Sequence, residues 1–182
     1  MSMPLAEFFT ADMVRALPDD GNRYETVHGE LLVSPSPRLA HQVVLTRLFL
    51  AVATYLRGYG IEGVFCVDAD LSWGPDTLVQ PDLFVADAAE VRRAKSWSDV
   101  QTLYLAVEIL SLSSLRADRF TKRHLYQERR IPAYWVVDID HRLVEVWAPD
   151  AIFPVVEHER LTWRHPALDA ECVIELEELF RE

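Results

Sequence analysis

Basic residues are scarce in this 182-residue chain: 18 lysines and arginines face 29 aspartates and glutamates, a formal net charge of −11. A broad phosphate-binding surface needs clustered Lys and Arg, so the deficit argues against an extended nucleic-acid footprint. Local basic character survives in the stretch RADRFTKRH (116–124) and in Arg129 and Arg130, and a bound divalent cation would offset negative charge locally. Cysteine is nearly absent. Cys66 and Cys172 lack CxxC spacing, which argues against a disulfide framework or a cysteine zinc site and leaves two small buried hydrophobes. Apolar runs fall short of the ~20 residues that cross a bilayer. The N-terminus carries acids where a secretory signal needs a basic flank, so the expectation is a soluble, cytoplasmic protein without a membrane partner. The six histidines show no HExxH or other tight ligand spacing, which leaves zinc without a site. Ser111, Ser113 and Ser114, near Asp118 and His124, lack a G-x-S-x-G elbow or a glycine-rich oxyanion loop, so they read as capping and turn residues rather than hydrolase parts.

What is present is hydrophobic residue, 50% of the chain, enough for one sizeable core. Thr10 caps a short helix over 10–17 that Pro18 ends, and RYETV and ELLVS flank His28-Gly29 as a hairpin. Apolar residues recur at helical spacing from Leu39 to Arg57, with Gly58 and Gly60 as the stop. Alternation then predicts one strand over 63–73, with Phe65, Val67, Ala69, Leu71 and Trp73 on one face, and further strands over 79–86 and 103–110. Residues 90–100 read as a mobile or partly helical loop. A second helix over 115–129 and a strand pair around Asp140-His141-Arg142 follow; the C-terminus reads as a strand near 152–160 and a strand or helix over 171–180. The five tryptophans read as core rather than as a base-stacking platform. The expected class is α/β (α+β), a mixed sheet flanked by helices in a single domain over 1–182, with a helix-and-hairpin extension over 1–37, a core over 38–148 and a C-terminal β addition over 149–182.

Within YLAVEILSLSS (104–114), Glu108 interrupts an apolar run. An ionised carboxylate withdrawn from water without a partner costs several kcal/mol, so a basic side chain, a retained proton or a cation must compensate it. Period-two geometry places Gln80, Asp82 and Phe84 on one face and Ala106, Glu108 and Leu110 on another; antiparallel pairing would bring Asp82 and Glu108 together. Converging carboxylates repel unless they share a proton or a cation such as Mg²⁺. Blander readings stand beside this one: Asp82 as a turn residue after Pro81, Glu108 as a salt-bridged or edge residue, and Lys122 as half of a surface pair with Asp118.

The succession Q80-P-D82, V107-E-I-L-S111, D118-R-F-T-K122 with Tyr126, and A133-Y-W-V-V-D138 resembles the Uma-two family of endonucleases in the PD-(D/E)XK superfamily, as do R23-Y-E-T-V-H-G-E-L31, S34-P-S-P37 and H41-Q42. The resemblance runs from about residue 7 to 148, with a weaker continuation to Leu179. It implies a restriction-endonuclease-like core of helix, three strands, helix and strand. It also implies metal-dependent hydrolysis of DNA phosphodiester bonds, leaving 5′-phosphate and 3′-hydroxyl ends. Asp82 and Glu108, with a carbonyl near Ile109, would hold Mg²⁺ (or Mn²⁺), and Lys122 would be the catalytic lysine. Glu25 and His41 match family positions and would either border the site or serve structurally, and a homodimer is implied by analogy. The superfamily's lysine normally lies two residues after the second acid; here that position is Leu110, and Lys122 on the following helix fits a migrated variant. Lys122 would orient water or stabilise phosphate charge, or act as a base if its pKa were depressed. Leu112, Ser114, Arg130 and Ala133 depart from the family pattern and affect loop detail. The alternative is a nuclease-fold module that binds nucleic acid or a protein partner without turnover; a small-molecule hydrolase has only the serine cluster behind it.

Overall fold

The computed structural model describes residues 7–65 and 69–181. The first helix, α1 (Ala11–Arg15), begins where the Thr10 side chain accepts a hydrogen bond from the Met13 N–H at 3.2 Å. The predicted hairpin forms from β1 (Asn22–Val27) and β2 (Glu30–Pro35). Its two-residue connection puts His28 at φ 50° and Gly29 at φ 83°, the left-handed pair that the twist of a tight hairpin requires. A side chain at Gly29 would also strike the Phe8 ring, since a Cβ there would lie 2.3 Å from it.

Helix α2 (Leu39–Gly58) turns a stripe of Val44, Leu45, Leu48, Val52 and Leu56 into the core. By length and composition it is apolar enough to cross a bilayer, contrary to the expectation that no segment reaches that length. The buried stripe accounts for that character: α2 lies against the central sheet.

Two strand assignments need correction. The strand expected over 63–73 is two short strands, β3 (Val64–Phe65) and β4 (Leu71–Ser72), in different sheets; Cys66, Val67 and Asp68 lie outside the described residues. The strand over 79–86 is likewise divided into β5 (Leu78–Val79) and β6 (Leu83–Ala86). Pro81 has no N–H to donate to a ladder, so the chain changes sheets at Gln80-Pro81-Asp82. The stretch read as a loop over 90–100 carries α3 (Ala88–Arg93), capped by Asp87, and a 3₁₀ turn (Trp97–Asp99).

Strand β7 (Leu103–Ile109) runs antiparallel to β6 and parallel to β8 (Tyr134–Asp138); β9 (Leu143–Trp147) and β10 (Val155–Glu157) continue on the far side. Among the described residues this gives a six-stranded mixed sheet in the order β10-β9-β8-β7-β6-β3. Strand β10 thus joins the central sheet. Strands β11 (Arg160–Trp163) and β12 (Cys172–Glu175) make a separate ribbon ending in α5 (Leu176–Leu179), so the stretch over 171–180 is strand and then helix. Leu105, Val107 and Ile109 of β7 share one core with α2 and this ribbon. Ala106 shares the other with Tyr134, Val136 and the N-terminal sheet, whose described strands run in the order β2-β1-β5-β4. Cys172 is buried, and burial pushes its thiol up to about 11. Trp135, Trp147 and Trp163 are core residues as expected.

The second long helix is irregular. A widened π-type turn over Ala117–Lys122 leads into α4 (Arg123–Glu128). At the far end of α4, Glu128 holds the His28 ring of the hairpin tip at 2.7 Å, which ties the N-terminal sheet over the helix.

Candidate active site

The register of β6 against β7 pairs Leu83 with Val107 and Phe84 with Ala106. One further step sets Asp82 opposite Glu108. Both project to the same face of the sheet by strand alternation. The Ile109 N–H donates to Asp82 Oδ2 at 2.8 Å, fixing the first acid against the strand of the second. The two acids named from sequence are therefore brought together.

Lys122 completes the group. From the widened turn its Nζ lies 3.0 Å from Glu108 Oε1, 2.7 Å from Glu25 Oε2 and 3.6 Å from Asp118 Oδ1. The surface reading of the Asp118–Lys122 pair fails, since the two residues are only 1% and 3% exposed. Tyr126, one turn on, donates its hydroxyl to Glu108 Oε1 at 2.9 Å. Asp82 has its own partners: Arg23 Nη1 at 2.8 Å from Oδ1 and His41 Nε2 at 3.1 Å from Oδ2. Glu25 and His41, placed at the border by sequence, lie inside the cluster, and Glu25 Oε1 also accepts the Gln80 N–H at 2.7 Å.

Arg23, Asp118 and Tyr134 were missed as site residues. Arg23 and Glu25 alternate on one face of β1, a period-two signal that could have flagged Arg23 once Glu25 was chosen. Asp118 shares a helical face with Lys122 and Tyr126 but is outwardly an ordinary i,i+4 partner. Tyr134 donates its hydroxyl to the Asp118 carbonyl at 2.8 Å, a long-range contact with no local signature.

Glu25, Asp82, Glu108 and Asp118 are all at least nine-tenths buried, and among the described residues the basic side chains set against them are Arg23 and Lys122. The imbalance is visible in their proton affinities. Burial raises Glu108 well above the carboxylate range, with Lys122 opposing and the other acids reinforcing. Burial also raises Asp118, to about 6. Burial would raise Asp82 too, but the His41 hydrogen bond and charge, Arg23 and the Ile109 N–H bring it down to about 2. Lys122 moves upward: burial favours its neutral form, but the carboxylates of Glu108, Glu25 and Asp118 outweigh that. It is a firmly protonated donor in this arrangement, and the depressed pKa that base catalysis would need is absent.

The donor set suits a hard cation. Four carboxylates exceed the available positive charge, Asp118 Oδ1 is buried without a hydrogen-bond donor, and oxygen ligands of this kind are what Mg²⁺ takes. Among the described residues no three His, Cys, Asp or Glu side chains form a ready-made metal cage. A Mg²⁺ site held by two carboxylates, with water completing the shell, does not require one. Asp82, Glu108, Asp118 and Lys122 line a cleft of about 40 Å³, space on the scale of a single water.

A model of the family described as "putative restriction endonuclease", Uma2, matches residues 11–176. The chain belongs to the Uma2 family. A crystal structure of a "putative nuclease belonging to DUF820" from Anabaena variabilis has the same fold, with a TM-score of 0.75 at 20% identity over 94% of this chain and 97% of that one. No curated protein matches the chain. The resemblance drawn from the motifs thus stands, as does the restriction-endonuclease-like fold. The Uma2 match spans every residue of the cluster, from Arg23 to Tyr134.

Proposed function

We propose that this Uma2 protein is a divalent-metal-dependent endonuclease that hydrolyses DNA phosphodiester bonds. Asp82 and Glu108 would hold Mg²⁺ or Mn²⁺. The observation that carries the reading is that these two buried acids line one cleft, Asp82 just before β6 accepting from the Ile109 N–H beside Glu108, with the Lys122 ammonium 3.0 Å from Glu108.

When bound, the ion supplies positive charge at the scissile phosphate and acidifies water there. The chain's own groups do the rest. Arg23, His41 and the Ile109 N–H hold Asp82 ionised and oriented. Tyr126 and Lys122 fix Glu108 by its Oε1. Lys122, kept protonated by its carboxylate neighbours, donates hydrogen bonds to charge developing on phosphate oxygens. Asp118 has a buried oxygen free of hydrogen-bond donors, able to accept a proton from attacking water.

One observation favours a second reading, a nuclease-fold module that binds nucleic acid or a protein partner without turnover. Both oxygens of Asp82 are engaged by Arg23, His41 and Ile109, so a metal must share or displace these donors. Incubating supercoiled and single-stranded DNA with Mg²⁺ or Mn²⁺ separates the two. Cleavage by wild type that falls about 10²–10³-fold in Asp82→Ala, Glu108→Ala and Lys122→Ala supports the enzyme. Equal cleavage by all four proteins refutes the site. No cleavage by any of them, despite calorimetric metal binding, supports the inert module.

A further inference from the structure

Beside the buried centre lies a much larger groove, about 420 Å³, between α1 and the hairpin. Arg23, Pro35 and Pro37 line both spaces, so the groove adjoins the cleft that holds Asp82 and Glu108. One continuous polar ribbon runs along it. Arg15 Nε stands 3.6 Å from Asp70 Oδ2; Asp70 Oδ1 accepts from Gln80 Nε2 at 2.6 Å; the Gln80 carbonyl accepts from Arg23 at 3.2 Å; Arg23 ends on Asp82. Apolar wall is supplied by Leu17, Pro18 and the ring of Tyr24.

Resting on the nuclease reading, we propose that this groove is the subsite for one unpaired nucleotide next to the scissile phosphate, which makes the preferred substrate single-stranded DNA. The volume is in the range of small-ligand pockets. The Asp70 carboxylate and the Gln80 amide line the same groove as the apolar wall, the combination that takes a base edge and a base face together. Arginine supplies positive charge where the ribbon meets the catalytic cleft, while Asp19 and Asp70 further along would repel a second phosphate backbone. A duplex would need two charged backbones accommodated by a chain of net charge −11. The catalytic residues, at 2–6% exposure for Glu108, Lys122 and Asp82, are reached more readily by one strand than by a duplex.

The test is fluorescence anisotropy with a labelled single-stranded oligonucleotide and its duplex, using Ca²⁺ in place of Mg²⁺ so that binding is read without turnover. Wild type is expected to bind the single strand about tenfold more tightly than the duplex. Ser36→Trp, which fills the groove from an exposed position, and Arg15→Glu are each expected to weaken single-strand binding about fivefold or more at unchanged melting temperature. Equal or tighter duplex binding overturns the proposal, as does a lack of effect in Ser36→Trp or no binding at all. If the single strand binds as expected while wild type cleaves no DNA with Mg²⁺ or Mn²⁺, the nuclease reading fails and the groove stands. If duplex is cleaved and bound as well as single strand, the groove fails and the nuclease reading stands.

Discussion

Glu108 and Lys122 have surrendered hydration that neither would give up alone, and their 3.0 Å contact offsets only part of that cost. The remainder shows in Asp118, whose carboxyl is raised to about 6 because burial and the neighbouring acids outweigh Lys122. A group whose folded pKa exceeds its unfolded value of ~3.9 contributes stability that is complete below about pH 4 and lost as pH rises through 6. Glu108 shifts in the same direction. Asp82 works oppositely: at about 2, its contribution is present above about pH 4 and lost as pH falls through 2. The metal-free protein should therefore be more stable at pH 5 than at pH 8, by an amount on the order of 2 kcal/mol. Urea denaturation at both pH values checks this, with Asp118→Asn expected to reduce the difference by its own share and leave that of Glu108. A wild type more stable at pH 8 would contradict the charge imbalance. At this scale Glu108 was legible because an acid in an apolar run demands a partner, and Asp82 because antiparallel register puts it opposite. Arg23 was not, since an arginine in a hairpin is ordinary until the hairpin is seen to fold over the site.

Among the secondary-structure elements, the widened turn over Ala117–Lys122 has the largest chemical consequence. It carries both Asp118 and Lys122 inward, and the Tyr134 hydroxyl docks onto the Asp118 carbonyl; such turns recur at functional sites. Tyr134→Phe should cost about 1–2 kcal/mol by leaving a buried carbonyl short of a donor. It should also slow DNA cleavage as Lys122 loses its fixed position. Urea denaturation and cleavage rates measure the two effects, and no change in either would mean the turn holds itself. The turn was invisible in the sequence because π-type and α spacing differ little over six residues. Strand breaks were hidden for a different reason. Alternation persists from Phe65 to Trp73 although the chain leaves one sheet for another, and hydrophobic period reports which residues are buried, not which sheet buries them. Pro81 was the available clue to the second break, since it cannot serve a ladder. Hairpin, α2, β7 and the β8-β9 pair were legible because turn chemistry and period agreed there.

For the whole molecule, acidity and architecture act together. The central sheet is covered on one face by α2 and the C-terminal ribbon and on the other by the N-terminal sheet and α4, so the proposed chemistry lies beneath the hairpin rather than on an open surface. With so few cations near the site, DNA binding should depend weakly on salt. The slope of log affinity against log salt is expected to match about two or three phosphate contacts, against the 6–10 of a protein that grips a duplex broadly. Titrations across a range of salt measure it, and a steep slope would reveal a basic surface that the charge distribution does not provide. The central claim is that Asp82 and Glu108 hold one ion between them, and calorimetric titration with Mn²⁺ tests it most directly. The account predicts a single site in wild type that disappears in both Asp82→Asn and Glu108→Gln. Undiminished binding in either folded variant, or none in wild type, would contradict it.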